Sequence, residues 1–116
     1  MQALLDQLIV ALSRLARPAE RQIAYLETLG AQQSVDELAL ELDDVAEAAL
    51  FTPGLLSEGQ GNLLRDLDRQ LEAMSSPEHA GLWSQRALRT SSAWTQVRET
   101  ARAALVELHA EPASSR

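Results

Sequence analysis

The chain contains no cysteine and no lysine, and it has few aromatic residues. Without cysteine it can form neither a disulfide nor a thiolate metal site, and a cysteine nucleophile is excluded. All 10 basic residues are arginines, a bias that codon usage in a GC-rich genome is enough to explain. Long runs of β-branched and aromatic residues are also missing, which argues against a β-sheet.

No run of apolar residues reaches the length of about 20 that a membrane-spanning helix needs. The apolar N-terminus lacks the basic residues that begin a secretory signal, and Asp6 interrupts it. We therefore expect a cytoplasmic protein with no membrane partner, which the absence of cysteine also fits.

The net charge of −7 is concentrated in the middle of the chain. No basic residue occurs between Gln22 and Leu64, whereas the parts before and after this segment are almost balanced. Because phosphate groups are bound by basic surfaces, this distribution disfavours nucleic acid and anionic membranes as partners. It favours a basic protein, which the acidic segment would attract and steer.

The 116 residues are enough for one domain, and leucine, alanine, glutamate and arginine dominate a helical composition. Apolar residues recur at steps of three and four, as on one side of a helix. The pattern predicts an all-α protein with a four- to five-helix, bundle-like core in one domain over 1–111, and 112–116 as a frayed tail. The predicted helices are 2–16, 18–29, 34–50, 60–74 and 92–109, with an optional short helix over 82–88.

Helix-stop and helix-start residues punctuate this pattern. Pro18 either kinks the first helix or opens the second, and Gly30 is expected as a left-handed cap. The S-x-x-E sequence that begins at Ser34 predicts a reciprocal capping box. A similar S-x-x-Q sequence begins at Ser57, although the two glycines that follow it weaken the first turn and predict an irregular start.

The predicted helix over 34–50 is the most unusual element. Its inward stripe consists of Val35, Leu38, Leu42, Val45 and Ala49. Its remaining faces carry carboxylates and no basic residue: Asp36, Glu37, Glu41, Asp43, Asp44 and Glu47. Like charges four residues apart cost a helix about 0.2–0.5 kcal/mol per pair, so helix stability does not explain them. Two interpretations remain, a face kept acidic for solubility and a docking surface for a basic protein.

No catalytic, cofactor or metal motif stands out. Paired-metal sites in helical bundles use Glu-x-x-His motifs on facing helices, and neither His79 nor His109 has that spacing. Arg102 and His109 resemble the Arg-x(4–6)-His pattern of HEPN ribonucleases, although alanine follows the arginine here and the acidic surface disfavours RNA. We predict no catalytic residue, no metal, no cofactor and no enzymatic activity.

Trp83 and Trp94 are the largest apolar side chains, and we expect them to anchor the last helix in the core. A role at a partner surface is the alternative. Tyr25 is expected to pack with its hydroxyl at the rim of the core.

Two stretches resemble small acidic helical proteins from GC-rich bacteria: YLETLG at 25–30 running into SVDELALELDD at 34–44, and LW at 82–83 through ALRT at 87–90 to Trp94, Val97, Arg98, Ala101 and Arg102. The resemblance covers about 20–109 and implies a fold.

In size and charge the chain is also similar to the immunity proteins that neutralise colicin-type nuclease toxins. Those are small acidic four-helix proteins whose carboxylates meet a basic toxin. Their adjacent tyrosine pair has no counterpart in this chain, which has one tyrosine.

These observations predict a non-enzymatic interaction module, immunity- or antitoxin-like, that docks a basic protein through the six carboxylates of the helix over 34–50. The alternative is a structural or adaptor protein that forms a homodimer through the wide apolar stripe of its first helix.

Overall fold

The computed structural model describes residues 2–29 and 35–110, and within these ranges the protein is all-helical. The elements are α1 (Gln2–Ala16), α2 (Ala19–Thr28), α3 (Asp36–Leu50), α4 (Glu58–Ala73), a 3₁₀ segment (Pro77–Leu82), α5 (Gln85–Thr90) and α6 (Ser92–Ala110). The predicted fold class, an all-α single domain with a bundle-like core, is confirmed. The tail predicted over 112–116 lies outside the described residues.

Four long helices build the bundle. The first helix, α1, packs extensively against both α3 and α6, and α6 also packs extensively against α4. In contrast, α3 and α4 contact each other only sparsely, so one side of the bundle is less tightly closed than the other three. The short helices α2 and α5 contact each other, and α5 also packs against α6.

Leucines at helical spacing fill the core. On α1, Leu8, Leu12 and Leu15 are fully buried, and Trp94 and Val97 of α6 are equally inaccessible. The predicted inward stripe of α3 is confirmed: four of its five members are buried and Val45 is half-buried. Burial of a leucine side chain contributes about 1.5–3 kcal/mol, so these repeats account for the orientation of each helix.

The starts of α2 and α3 differ slightly from the sequence-based expectation. Pro18 occupies the N-cap position of α2, and its carbonyl accepts hydrogen bonds from the backbone N–H groups of Arg21 and Gln22 at 2.9 and 3.1 Å. A new helix therefore begins after the proline. At the start of α3, Val35 takes the N-cap position and makes no side-chain capping bond. Gly30 and Ser34, which were predicted as caps, lie outside the described residues.

The reciprocal cap at Ser57 is present. Ser57 Oγ accepts from the backbone N–H of Gln60 at 3.2 Å, and Gln60 Oε1 accepts from the backbone N–H of Ser57 at 2.8 Å. Gln60 Nε2 also donates to the carbonyl of Glu107 at 3.2 Å, which ties this start to α6. As a result, α4 begins at Glu58, two residues before the predicted start, and includes both glycines without interruption.

The segment between α4 and α6 is more regular than predicted. The 3₁₀ segment lies mainly in the interval between the predicted helices over 60–74 and 82–88, and α5 begins three residues later than the second of these. Ser84 sets this start, because its side chain accepts from the backbone N–H of Ala87 at 3.1 Å. The predicted position was wrong because the 3₁₀ segment ends at Leu82 and the next helix starts only after the cap at Ser84.

The two tryptophans pack together at this junction. Their ring centroids are 5.3 Å apart and the ring planes are nearly perpendicular, which is a favourable edge-to-face geometry. Trp94 Nε1 donates to the Leu82 carbonyl at 2.6 Å, and Trp83 Nε1 donates to the Met74 carbonyl at 2.7 Å. Trp94 is a core anchor, as predicted, whereas Trp83 is only half-buried and keeps one side at the surface.

A buried polar cluster satisfies the C-terminal ends of two helices. Gln22, which is 1% exposed, donates from Nε2 to the carbonyls of Arg14 and Leu15 and accepts from Arg98 Nε at 3.2 Å. Arg98 also donates to the Leu88 carbonyl. These bonds provide partners for carbonyls that a helix end leaves unpaired. Burial, with a contribution from the neighbouring Arg102 charge, lowers the pKa of Arg98.

Candidate partner-binding surface

The six carboxylates predicted as a docking surface all lie on α3. Asp36, Asp43, Asp44 and Glu47 are exposed, while Glu37 and Glu41 are half-buried. Across residues 2–29 and 35–110, Glu41 is the one member of this set that forms an ion pair. Four of the other five are exposed and are accessible to a partner.

Glu41 is half-buried and is held by side chains of α1 and α2. Arg14 Nη1 lies 3.2 Å from Glu41 Oε1, and the Tyr25 hydroxyl donates to Glu41 Oε2. The Arg14 guanidinium also lies 4.1 Å above the centre of the Tyr25 ring, a cation–π distance. Burial raises the pKa of Tyr25, and the Glu41 carboxylate raises this pKa further. Glu41 thus connects three helices instead of standing among the unpaired carboxylates.

The carboxylates divide between the two sides of α3. Glu41 and Asp44 line a depression between α1 and α3, where Asp6, Val10 and Arg14 also lie. On the opposite side, Asp43 and Glu47 face α4, and Asp36 lies beside the segment 75–83 that follows α4. Glu37 lines neither depression, and its charge acts on Tyr25 of α2. The sequence pattern predicted one acidic surface. In the structure α3 lies between α1 and α4, so some of its acids lie on the α1 side and others on the α4 side.

A continuous groove follows the α4 side of α3. Three adjoining depressions share lining residues: Ala39, Leu40 and Ser75 join the first to the second, and Asp43 and Asp68 join the second to the third. We name this feature the α3–α4 groove. It begins beside Trp83 and ends beside Phe51, along the side where the two helices pack least.

The groove has an apolar lining and an acidic rim. Its apolar side chains are Ala39, Leu40, Leu42, Ala46, Leu50, Phe51, Leu71, Pro77, Ala80 and Trp83. Its acids are Asp36, Asp43 and Glu47 from α3 and Asp68 and Glu72 from α4. Among the described lining residues Arg65 is the single basic one, and it lies at the Phe51 end. Leu40 is 55% exposed and Phe51 is 79% exposed, which is high for large apolar side chains.

Sequence reasoning missed four residues of this groove. Leu40 lies off the inward stripe of α3 and Phe51 directly follows the helix, and both were left without a role. Asp68 and Glu72 lie within residues 65–116, where seven acids are balanced by seven arginines, so the charge of this part gave no reason to single them out. The sequence does indicate that these two acids share one side of α4, because they are four residues apart and flank the buried Leu71.

The other candidate chemistry has little support in the structure. Arg102 donates to the Ala16 carbonyl at 3.1 Å, where it helps to cap α1, and the His109 side chain lies outside the described residues. His79 Nδ1 is 2.7 Å from the Ser76 hydroxyl. In the described part of the chain, no group of three or more acidic or histidine side chains is placed to hold a metal ion. None of the described helices is long and apolar enough to cross a membrane.

Much of the apolar stripe of the first helix is used inside the protein. Leu8, Leu12 and Leu15 are fully covered, and Leu5 is partly buried against the same core. Val10 is 46% exposed, and Leu4 and Ile9 are half-buried. Part of the wide stripe therefore packs against α3 and α6, and self-association through α1 stays a prediction.

Comparison with protein-family models, with curated proteins and with solved structures yields no match. The resemblance to small acidic bacterial proteins, and the similarity to nuclease-toxin immunity proteins, accordingly stay hypotheses. The function has to be argued from the surface of the molecule itself.

Proposed function

We propose that this chain is a non-enzymatic interaction module that docks a basic protein through the exposed carboxylates of α3, in an immunity- or antitoxin-like role in the cytoplasm. One observation carries the proposal. Five of the six acids on α3 form no ion pair in the part of the chain that the structure describes, although arginines are available on the neighbouring helices.

The energetic argument concerns repulsion between these acids. Asp43 and Glu47 are four residues apart on α3, a spacing at which like charges destabilise a helix. A basic partner would remove that repulsion and would be steered towards the surface from a distance. The docked protein would then cover the basic surface of its partner, so that inhibition by occlusion needs no catalytic group.

A comparison of charge variants tests this role. The variant Asp43→Asn/Asp44→Asn/Glu47→Gln removes three charges from the exposed side of α3 with little change in side-chain shape. The control Glu27→Gln/Glu78→Gln/Glu99→Gln removes three exposed charges elsewhere. Each protein is used to capture binding proteins from a lysate of the source cells at low salt, and the partner retained by the wild type is then purified and titrated in a calorimeter.

The proposal predicts a basic partner that binds the wild type and the control equally. The α3 variant should bind it at least tenfold more weakly at low salt, and this difference should shrink as salt screens the charges. Equal binding by all three proteins, or a partner without net positive charge, would exclude the α3 surface as the docking site.

A further inference from the structure

The α3–α4 groove combines two properties that the α3 acids alone do not have. Its apolar lining exposes Leu40 and Phe51, and its rim carries carboxylates from two different helices. An apolar channel bordered by charges of one sign matches the surface of an amphipathic helix whose polar side has the opposite charge. We propose that the α3–α4 groove binds a cationic amphipathic helix of the partner protein.

The dimensions of the groove specify the length of the bound helix. Leu40 and Phe51 are eleven residues apart along α3 and its C-cap, which corresponds to about 16 Å or three helical turns at 1.5 Å per residue. A partner helix lying along the groove would therefore offer apolar side chains at i, i+4, i+7 and i+11. These would contact the side chains between Leu40 and Phe51 and, at the far end, Trp83.

The charges of the groove specify the polar side of that helix. Asp43 lies on the α3 wall, and Asp68 and Glu72 lie on the α4 wall. All three are exposed. Lysine or arginine residues that flank the apolar stripe of the bound helix would meet one of these walls on each side. An acidic helix would instead bring like charges together, which disfavours its binding.

This inference rests on the proposed function but adds residues that the function does not need. Docking through the α3 carboxylates alone predicts no role for Asp68 and Glu72 of α4. It also predicts no role for the apolar side chains of Leu40 and Phe51. The test therefore uses Asp68→Asn/Glu72→Gln, with Glu27→Gln/Glu99→Gln as the control of equal charge change. It also uses Leu40→Ser/Phe51→Ser, with Val106→Ser, an exposed apolar residue of α6, as the control.

The probe is a synthetic helix of about 18 residues with leucines on one side and lysines on the other. A second peptide has the same composition in an order that places no leucine stripe on either side. Binding of both peptides to the full chain is measured by calorimetry at low and high salt, and tryptophan emission is followed because Trp83 lines the groove while Trp94 is buried.

The inference predicts that the amphipathic peptide binds at least tenfold more tightly than its scrambled counterpart and changes the tryptophan emission. The α4 charge variant should weaken binding at least fivefold at low salt and less at high salt. The apolar variant should weaken binding at least tenfold at both salt concentrations, because screening does not act on apolar contacts. The two control variants should bind like the wild type.

Three results would overturn the inference. One is equal affinity of the wild type for both peptides. Another is that Asp68→Asn/Glu72→Gln and Leu40→Ser/Phe51→Ser bind the amphipathic peptide as tightly as the wild type does. The third is a dimeric wild type that Leu40→Ser/Phe51→Ser converts to a monomer, as measured by sedimentation, since a second copy of the chain would then occupy the groove. If only Asp43, Asp44 and Glu47 mattered for partner binding, this inference would fail while the proposed function would stand.

Discussion

Glu41 and Tyr25 show how one carboxylate can differ from five others on the same helix. The Tyr25 hydroxyl donates to Glu41, and Arg14 contacts both side chains. Deprotonation of this tyrosine is opposed first by burial and then by the nearby carboxylate, and both effects raise its pKa. Because Tyr25 is the single tyrosine of the chain, its ionisation can be observed without interference from others.

A spectroscopic titration of the folded protein tests this contact. Tyr25 should ionise at a pH above the ordinary tyrosine value of about 10. In Glu41→Gln its pKa should fall towards the ordinary value but stay above it, because burial persists as the larger cause. Glu27→Gln should leave the titration unchanged. An ordinary tyrosine titration in the wild type would show that the hydroxyl does not contact Glu41.

The raised pKa also determines how stability depends on pH. The folded state favours the neutral phenol, so this contribution to stability is complete below the ordinary tyrosine pKa. It is lost as the pH rises through the higher pKa of the folded state.

Exposure of single residues on α3 could be predicted from helical spacing, but their partners could not. The spacing separated the buried Leu38 and Leu42 from the acids correctly. The helical spacing gave no indication that Glu41 would form an ion pair with Arg14, which is 27 positions away in the sequence. Such a contact depends on which helices become neighbours, and a single helical pattern does not determine that.

At the scale of elements, the capping box at Ser57 fixes the start of α4 despite two glycines in its first turns. The side chain of Ser57 pairs one backbone N–H that would otherwise lack a partner, and Gln60 pairs another. This reciprocal arrangement offsets part of the conformational freedom that the glycines lose on folding.

Replacement of this cap tests its contribution. Ser57→Ala should lower the free energy of unfolding by about 0.5–2 kcal/mol, the usual effect of losing an N-cap side chain. The measurement is denaturant unfolding followed by circular dichroism. Ser92→Ala, at an exposed serine of α6, serves as the control and should change stability by less than about 0.5 kcal/mol. Equal effects of the two substitutions would indicate that the box does not stabilise α4.

Long helices were predictable because they repeat their apolar pattern over several turns. The bounds of α1 were predicted correctly. The starts of α2, α3 and α4 differ from the predicted ones by one or two residues, because caps and prolines determine where a helix begins. The 3₁₀ segment and α5 have six residues each, too few for a period to appear. Their positions depend on Pro77, on Ser84 and on the packing of the two tryptophans.

At the scale of the whole molecule, the decisive feature is the incomplete closure of the bundle. The pairs α1–α3, α1–α6 and α4–α6 pack closely, while α3 and α4 leave a groove between them. The net charge of −7 predicts only that a partner would be basic. The packing of the helices around the core places acids of α3 beside acids of α4. The sequence of a single helix does not determine which helices become neighbours.

The central claim is that a basic partner binds along the α3–α4 groove. Its most direct test is the change in backbone amide resonances when the isotope-labelled chain is titrated with the cationic amphipathic peptide. The account predicts changes at residues 36–51, 68–76 and 80–83, with little change along the side of α1 that faces α3. Changes centred on Val10 and Arg14, or none at 68–76, would contradict it.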